Sequence, residues 1–476
     1  MHISHIQDLS RRAFLRRSSQ LAMTGTALPF AMNLAAIGEA AAFTGTDYKA
    51  LVCIFLYGGN DYANTLIPYD SPNYDLYSAI RGGGPGQTAG GIAVGRSSLS
   101  ATILNPGNGQ ILTNNIQYAL SPSMTRMKQR FDEGKLALQL NVGPLLAPTT
   151  IAQYNSKDRT ANPLPPQLFS HNDQQSTWQS SGPEGATTGW GGRMGDLAQS
   201  SNTNIVFTAI SATGNAVFLA GDQAIAYQVG TGGSVPIYTL KYGISNAPKT
   251  TTDALRTLVT QTSTHIFEGE YAKVASRAVD SEAVLSAGLS SVALTTSFKP
   301  ATGSNSLASQ LEAVAKIIAA RTALGTKRQV FFVSLGGFDN HDGLNSNHPA
   351  LLSKLDFAMD AFYRATLELG ISDKVTTFTA SDFGRTLSSN GDGSDHGWGG
   401  HHFVLGGAVK GGQFYGAAPS VSVKTDDQVG QGRLLPTTSV DQYGATLASW
   451  FGVSPSELPS VFPNIGRFGS SNLGFV

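Results

Sequence analysis

Three segments far apart in the chain share one pattern, a strand-like run, in the first case continuously apolar, β-branched and aromatic, that ends at Gly or Ser and then reaches an aspartate. They are Ala50–Tyr57 before Gly58-Gly59-Asn60-Asp61, Gln329–Leu335 before Gly336-Gly337-Phe338-Asp339-Asn340-His341, and Val375–Ala380 before Ser381-Asp382-Phe383-Gly384-Arg385-Thr386. A run with no polar face suits a strand covered on both sides. Leu307, Leu311, Val314 and Ile318 recur at helical spacing ahead of the second run, with Gly325 as the stop. Leu351, Leu352, Leu355, Met359 and Phe362 do the same ahead of the third, closed by Gly370. Helices alternating with buried strands predict an α/β fold, a mostly parallel central sheet with right-handed crossovers and flanking helices.

The same reading places a helix over 124–131, strands over 136–142 and 402–405, and a last helix over 441–451. Residues 143–170 are proline-rich and predict a long ordered loop, the kind of segment that carries function in a compact domain. Residues 200–300 are expected to extend the sheet edge or to form a cap. No repeat or linker divides the chain, so residues 43–476 are expected to form one large α/β domain.

Residues 1–42 read as an address. Ser10-Arg11-Arg12-Ala13-Phe14-Leu15 precedes a weakly apolar stretch from Leu21 to Ile37, and Ala40-Ala41-Ala42 offers small residues for cleavage. Thr24, Gly25, Thr26, Pro29 and Asn33 make that stretch too polar for a membrane anchor. The arginine pair resembles the twin-arginine signal, which implies the twin-arginine export machinery as a partner and a periplasmic or secreted protein. No transmembrane anchor is expected in the mature chain.

Charge and cysteine content exclude several classes. Lys+Arg and Asp+Glu both number 32, so no basic field exists to attract nucleic acid. The single cysteine, Cys53, lies inside the first strand run, so no internal disulfide or Cys-rich zinc module can form. Nine histidines remain, and three of them, His396, His401 and His402, fall within seven residues. In a parallel sheet, chemistry collects beyond the carboxyl ends of the strands, where this chain places Asp61, Asp339, His341, Asp382, Asp395, His396 and His401. Asp and His without Cys suit Zn²⁺ or Mn²⁺. Blander readings stand beside this one: a glycine turn at 58–61, and a hydrogen-bonded Asp–His pair at 339–341. His348 is expected to be a surface or capping residue, and His265 is given no role.

With these motifs in hand, the sequence resembles the DUF1501 family of exported bacterial proteins. The pieces that carry the resemblance are 55–61 through Pro68, Ser170-His171-Asn172-Asp173-Gln174-Gln175, 336–341, 381–386 and 395–402. The family in turn resembles the alkaline phosphatase and sulfatase superfamily, which implies an alkaline-phosphatase-like sheet with one or two metal ions above it. By that resemblance Asp61, Asp339, His341, Asp382 and either His396 or His401 would be ligands. Two spacings differ: one residue rather than three separates Asp339 from His341, and Phe383 rather than His follows Asp382. A single ion is therefore an alternative to a pair. Ser170 matches the position of the superfamily nucleophile at a helix start, where phosphate or sulfate is favoured, and an ordinary N-cap serine is the competing reading. The position of Cys53 disfavours a conventional sulfatase.

The resulting expectation is an exported metal-dependent hydrolase of phosphoester or sulfoester bonds in a small anionic substrate. Ser170 would be the nucleophile, His171 an acid–base group or ligand, and Arg385 a clamp on a non-bridging oxygen. A non-catalytic envelope protein that uses the same scaffold for binding or assembly is the alternative, and a carbohydrate-active or other esterase is a third option.

Overall fold

The computed structural model describes residues 43, 45–83 and 91–476, so the export signal expected at 1–42 lies outside the described residues. The strands are β1 (Lys49–Leu56), β2 (Leu66–Pro68), β3 (Tyr118–Leu120), β4 (Leu136–Gly143), β5 (Ala209–Ser211), β6 (Tyr227–Gln228), β7 (Arg328–Leu335), β8 (Val375–Ser381), β9 (Gly400–Gly406), β10 (Gln413–Tyr415) and β11 (Thr438–Ser439). Nine form one sheet in the order β10-β4-β9-β8-β1-β7-β5-β6, with β11 also paired to β4. The pair β2 and β3 stands apart, antiparallel.

Strand β1 shows why its sequence had no polar face. Ala50, Val52, Ile54 and Leu56 enter the core on one side of the sheet, while Leu51, Cys53 and Phe55 enter the core on the other. This is the two-residue alternation of a strand buried twice over. The first core is covered by the helices Ser306–Ala319 and Leu344–Glu368, the second by Trp190–Ala198 and Val440–Phe451. The last helix starts on a capping box, in which Ser439 accepts from the Gln442 amide and the Gln442 side chain bonds back.

The sheet is mostly parallel, as expected, with one exception. Strand β9 runs antiparallel to both β4 and β8, so the strand predicted at 402–405 does not continue the parallel pattern. The illegible stretch 200–300 does two things: β5 and β6 extend the sheet beyond β7, and the helices Lys249–Thr260 and Ile266–Leu289 follow. Among the described residues, no helix is long and apolar enough to cross a membrane.

Three histidines are packed inside. His348 is 1% exposed, not at the surface, with Nε2 2.9 Å from Asn60 Oδ1. His401 accepts the Asn141 N–H at Nδ1 (3.1 Å) between the rings of Tyr62 and Tyr118, and His402 lies against Trp178. Burial pushes their pKa values down to about 4, about 3 and about 3. Unfolded imidazoles titrate near 6.5, so between that value and the folded ones the unfolded chain binds more protons. Their contribution to stability is complete above about pH 6.5 and is lost as pH falls toward the folded values. The urea midpoint is expected to drop steadily from pH 7 to pH 4.5. His401→Gln should flatten that slope by up to about 1.4 kcal/mol per pH unit, and an unchanged slope would show that His401 is not held neutral.

Candidate functional site

Register decides which loops meet. Leu56 of β1 pairs with Leu335 of β7 on one side and Ser381 of β8 on the other, so three chains leave the sheet at one level. The turn after β1 needs its glycines. Gly58 and Gly59 have φ of +112° and +83°, and a Cβ on Gly58 would come within 2.4 Å of the Asp339 backbone nitrogen. That close passage lets the loop after β7 fold over the end of β1 and present Asp339. The loop after β8 is paired to the segment before β9 by an antiparallel bridge between Arg385 and His396. His171 arrives separately, as the first residue of the helix His171–Ser180.

These elements bring four polar side chains together. His171, Asp339 and His396 each offer one ligand atom, all within 4.8 Å of one another. Nε2 of His396 is 3.2 Å from Asp339 Oδ1, Nε2 of His341 is 3.1 Å from the same oxygen, and Nε2 of His171 is 3.4 Å from Oδ2. The side chains are between 24% and 43% exposed, so a solute can reach them.

Behind each imidazole stands an acceptor. His171 Nδ1 is 2.6 Å from Asp382 Oδ2, His341 Nδ1 is 3.3 Å from Asp395 Oδ1, and His396 Nδ1 is 2.7 Å from the Phe169 carbonyl. A carbonyl or carboxylate can only accept, and for His171 and His396 the nearer acceptor is the one at Nδ1, so a neutral ring there keeps its proton on Nδ1 and a lone pair on Nε2, whereas His341 has acceptors at similar distances from both nitrogens. Acceptors placed behind imidazoles in this way are the usual support of histidine metal ligands. The Nε2 atoms of His341 and His396 are 2.9 Å apart. Two lone pairs at that distance repel, and a proton or a cation between them relieves the conflict. The convergent donor set, the imidazoles of His171 and His396 with the Asp339 carboxylate, is of a kind that fits Zn²⁺ or Mn²⁺, and His341 Nε2 stands beside it.

The electrostatics follow from these partners. The hydrogen bond to Asp382 raises the pKa of His171, against burial. Burial lowers that of His396, helped by the nearby His171 and Arg385. For Asp339, burial works upward but Arg385, His341 and His396 outweigh it and hold the carboxyl below its ordinary range.

The remaining expected site residues lie elsewhere or act differently. Asp382 and Asp395 sit behind histidines, with Gln175 and Asn390 also donating to them. Asp61 is 1% exposed and pairs with the fully buried Arg81 at 2.7 Å, while its other oxygen caps the helix Tyr62–Thr65. A carboxylate so engaged is structural. Burial raises its pKa, but Arg81, His348 and the Ser394 hydroxyl together keep it low. His401 points into the core. Arg385 is fully buried, so it cannot clamp a substrate; it donates to Asp339 Oδ1 (2.7 Å), the Gly58 carbonyl (3.1 Å) and the Ser394 carbonyl. Ser170 occupies an N-cap position, and its hydroxyl donates to Asp173 Oδ2 at 2.9 Å. Sequence reasoning missed Arg81 and the Phe169 carbonyl. A backbone acceptor has no side-chain signature, and an arginine in a glycine-rich stretch reads as solvent-facing.

A family model described as "Protein of unknown function (DUF1501)" matches residues 48–449. The chain belongs to the DUF1501 family. No curated protein sequence matches this DUF1501 chain. Two solved structures are distantly similar to it. One is Ps i-CgsB in complex with k-i-k-neocarrahexaose, at 11% identity and a TM-score of 0.33, covering 88% of this chain and 77% of that one. The other is Ps i-CgsB alone, at 10% identity and a TM-score of 0.31 over the same shares. Neither likeness says anything about the activity of this DUF1501 protein.

The assignment of Asp61 to structure has a direct check. Asp61→Ala leaves the Arg81 charge buried without its carboxylate, which is expected to cost about 3–5 kcal/mol. Urea denaturation measures it; a loss below about 1 kcal/mol would show that the pair is not a structural keystone.

Proposed function

We propose that this protein is an exported metal-dependent hydrolase of phosphoester or sulfoester bonds in a small anionic substrate. One divalent cation, Zn²⁺ or Mn²⁺, would be held by His171, His396 and a carboxylate oxygen of Asp339, with His341 beside them. The observation that carries this reading is the pair of inward-facing Nε2 atoms 2.9 Å apart beside the Asp339 carboxylate, with the Nδ1 of each ring turned to an acceptor behind it. Such a cation supplies Lewis acidity toward an ester oxyanion. Asp382, Asp395 and the Phe169 carbonyl fix the rings, and Arg385 fixes the Asp339 carboxylate. Ser170 has Asp173 as its acceptor, a weaker base than imidazole, so water is the nucleophile in this reading. Export rests on the Arg11-Arg12 segment, and the superfamily resemblance supports the ester class.

A second reading, a non-catalytic binding protein of the envelope, is favoured by one contact. Arg385 already neutralises Asp339 Oδ1 at 2.7 Å, so part of the cluster's charge is balanced within the chain.

Elemental analysis of the natively exported protein is expected to give close to one Zn or Mn per chain. Asp339→Asn with His396→Ala should abolish it, and Asp382→Asn should weaken metal affinity about 10–100-fold. Ligand imidazoles must be neutral, so metal retention is expected to fall below about pH 6. Aryl phosphates and aryl sulfates then test turnover. Bound metal without turnover would support the binding reading, and a protein that neither carries nor takes up metal would refute the hydrolase.

A further inference from the structure

Phe169 is held in an unusual conformation. Its φ is +73°, and Gln167 two residues earlier has φ of +43°. A bulky non-glycine residue in the left-handed region is strained, and such strain persists where the surroundings demand it. Two demands are visible. The Phe169 carbonyl is turned to His396 Nδ1 at 2.7 Å, and its ring is stacked 5.2 Å from the Arg433 guanidinium, whose Nε donates to the His396 carbonyl. The same ring forms one wall of a cleft of about 590 Å³. Tyr154, Leu164 and Leu168 supply other walls, with the exposed Asn155 and Arg159 beside them. No carboxylate lines it.

The walls are fixed from behind. Tyr154, Leu164, Leu168 and Phe169 pack against Leu145, Trp398 and Leu435, and the Trp398 indole N–H donates to the Pro144 carbonyl at 2.8 Å. Arg159 spends Nη1 and Nη2 on the carbonyls of Gln153 and Tyr154 (3.3 and 2.9 Å), which holds its guanidinium at the cleft. An open concavity that sets aromatic and aliphatic side chains beside an arginine and an asparagine offers a ring-bearing organic ligand both an apolar face and polar partners. The lack of acid beside an arginine disfavours a cationic one.

We infer that the cleft over residues 154–169 is the subsite for the non-reacting part of the substrate, and that this part carries an uncharged ring with an apolar face. The inference rests on the proposed hydrolase reading, since it places the anionic group at the His171/Asp339/His341/His396 cluster and the ring against Tyr154, Leu164 and Phe169. An aryl ring and a sugar ring share that chemistry.

Calorimetric titration of the zinc-loaded full chain with methylphosphonate, phenylphosphonate and glucose 6-phosphate tests it. At least one ring-bearing probe is expected to bind about tenfold more tightly than methylphosphonate, and which one does so names the ring. Tyr154→Ala and Leu164→Ser should each shrink that preference toward unity, with zinc content as the control for an intact cluster. Ring probes no tighter than methylphosphonate would overturn the subsite and leave the metal centre standing. A zinc-loaded protein that binds none of the three would overturn the hydrolase reading together with the subsite.

Discussion

One buried guanidinium ties the working end of this molecule together. Arg385 belongs to the loop after β8, yet its donors reach the Gly58 carbonyl after β1, Asp339 after β7, and the Ser394 carbonyl before β9. A fully buried arginine is tolerated only when its charge and donors are matched, and here the matching groups come from every neighbouring loop. The loops are therefore not independent attachments to a sheet. Each supplies something that the Arg385 charge needs, so the arrangement that satisfies Arg385 is the one that positions Asp339 and the adjacent histidines.

A second charge layer lies beneath it. Asp61 Oδ2 takes Arg81 Nη2 and the Ser394 hydroxyl, each at 2.7 Å, and Ser394 Oγ in turn is 3.4 Å from Arg385 Nε. The sequence of groups from interior to surface is guanidinium, carboxylate, hydroxyl, guanidinium, carboxylate, imidazole. Opposite charges alternate, so each buried ion has a counter-ion in contact and none is left to be neutralised by proton uptake. The outermost members, at 24–43% exposure, are the ones a solute can reach.

The main strands and helices were legible because they follow from the order and spacing of apolar residues. Ala50–Leu56 could face water on neither side, and Leu307 to Ile318 could form only one apolar stripe. The convergence of loops at the strand ends followed from parallel topology. What could not be read was the division of labour within the cluster. Asp61, Asp339 and Asp382 follow their strands in nearly the same way, but only Asp339 meets the Nε2 side of the histidines, while Asp382 backs one of them at Nδ1. Asp61 is claimed by Arg81, which lies outside every recognised motif, and Asp382 by His171, which a different helix delivers. His401 and His402 were indistinguishable from His396 by spacing, yet β9 begins at Gly400. From that residue on, side chains alternate between the two cores, and the loop before it is the only place on that segment from which an imidazole can reach Asp339.

The direction of the imidazoles is the observation that favours the proposed metal site over an ion-pair network. In a network built only for stability, a histidine beside Asp339 would gain most by donating a proton from Nε2 to the carboxylate. Here every Nδ1 faces an obligate acceptor, so donation from Nε2 as well requires a charged ring. One charged ring can be accommodated by Asp339, but that carboxylate already serves Arg385 at the same Oδ1, and burial disfavours charge on His396. Protonating both His341 and His396, whose Nε2 atoms are 2.9 Å apart, would concentrate positive charge beside a guanidinium. A divalent cation places the positive charge at one point and uses the lone pairs in place of opposing them, which is why the backing groups on Nδ1, rather than the mere proximity of histidines, argue for a metal.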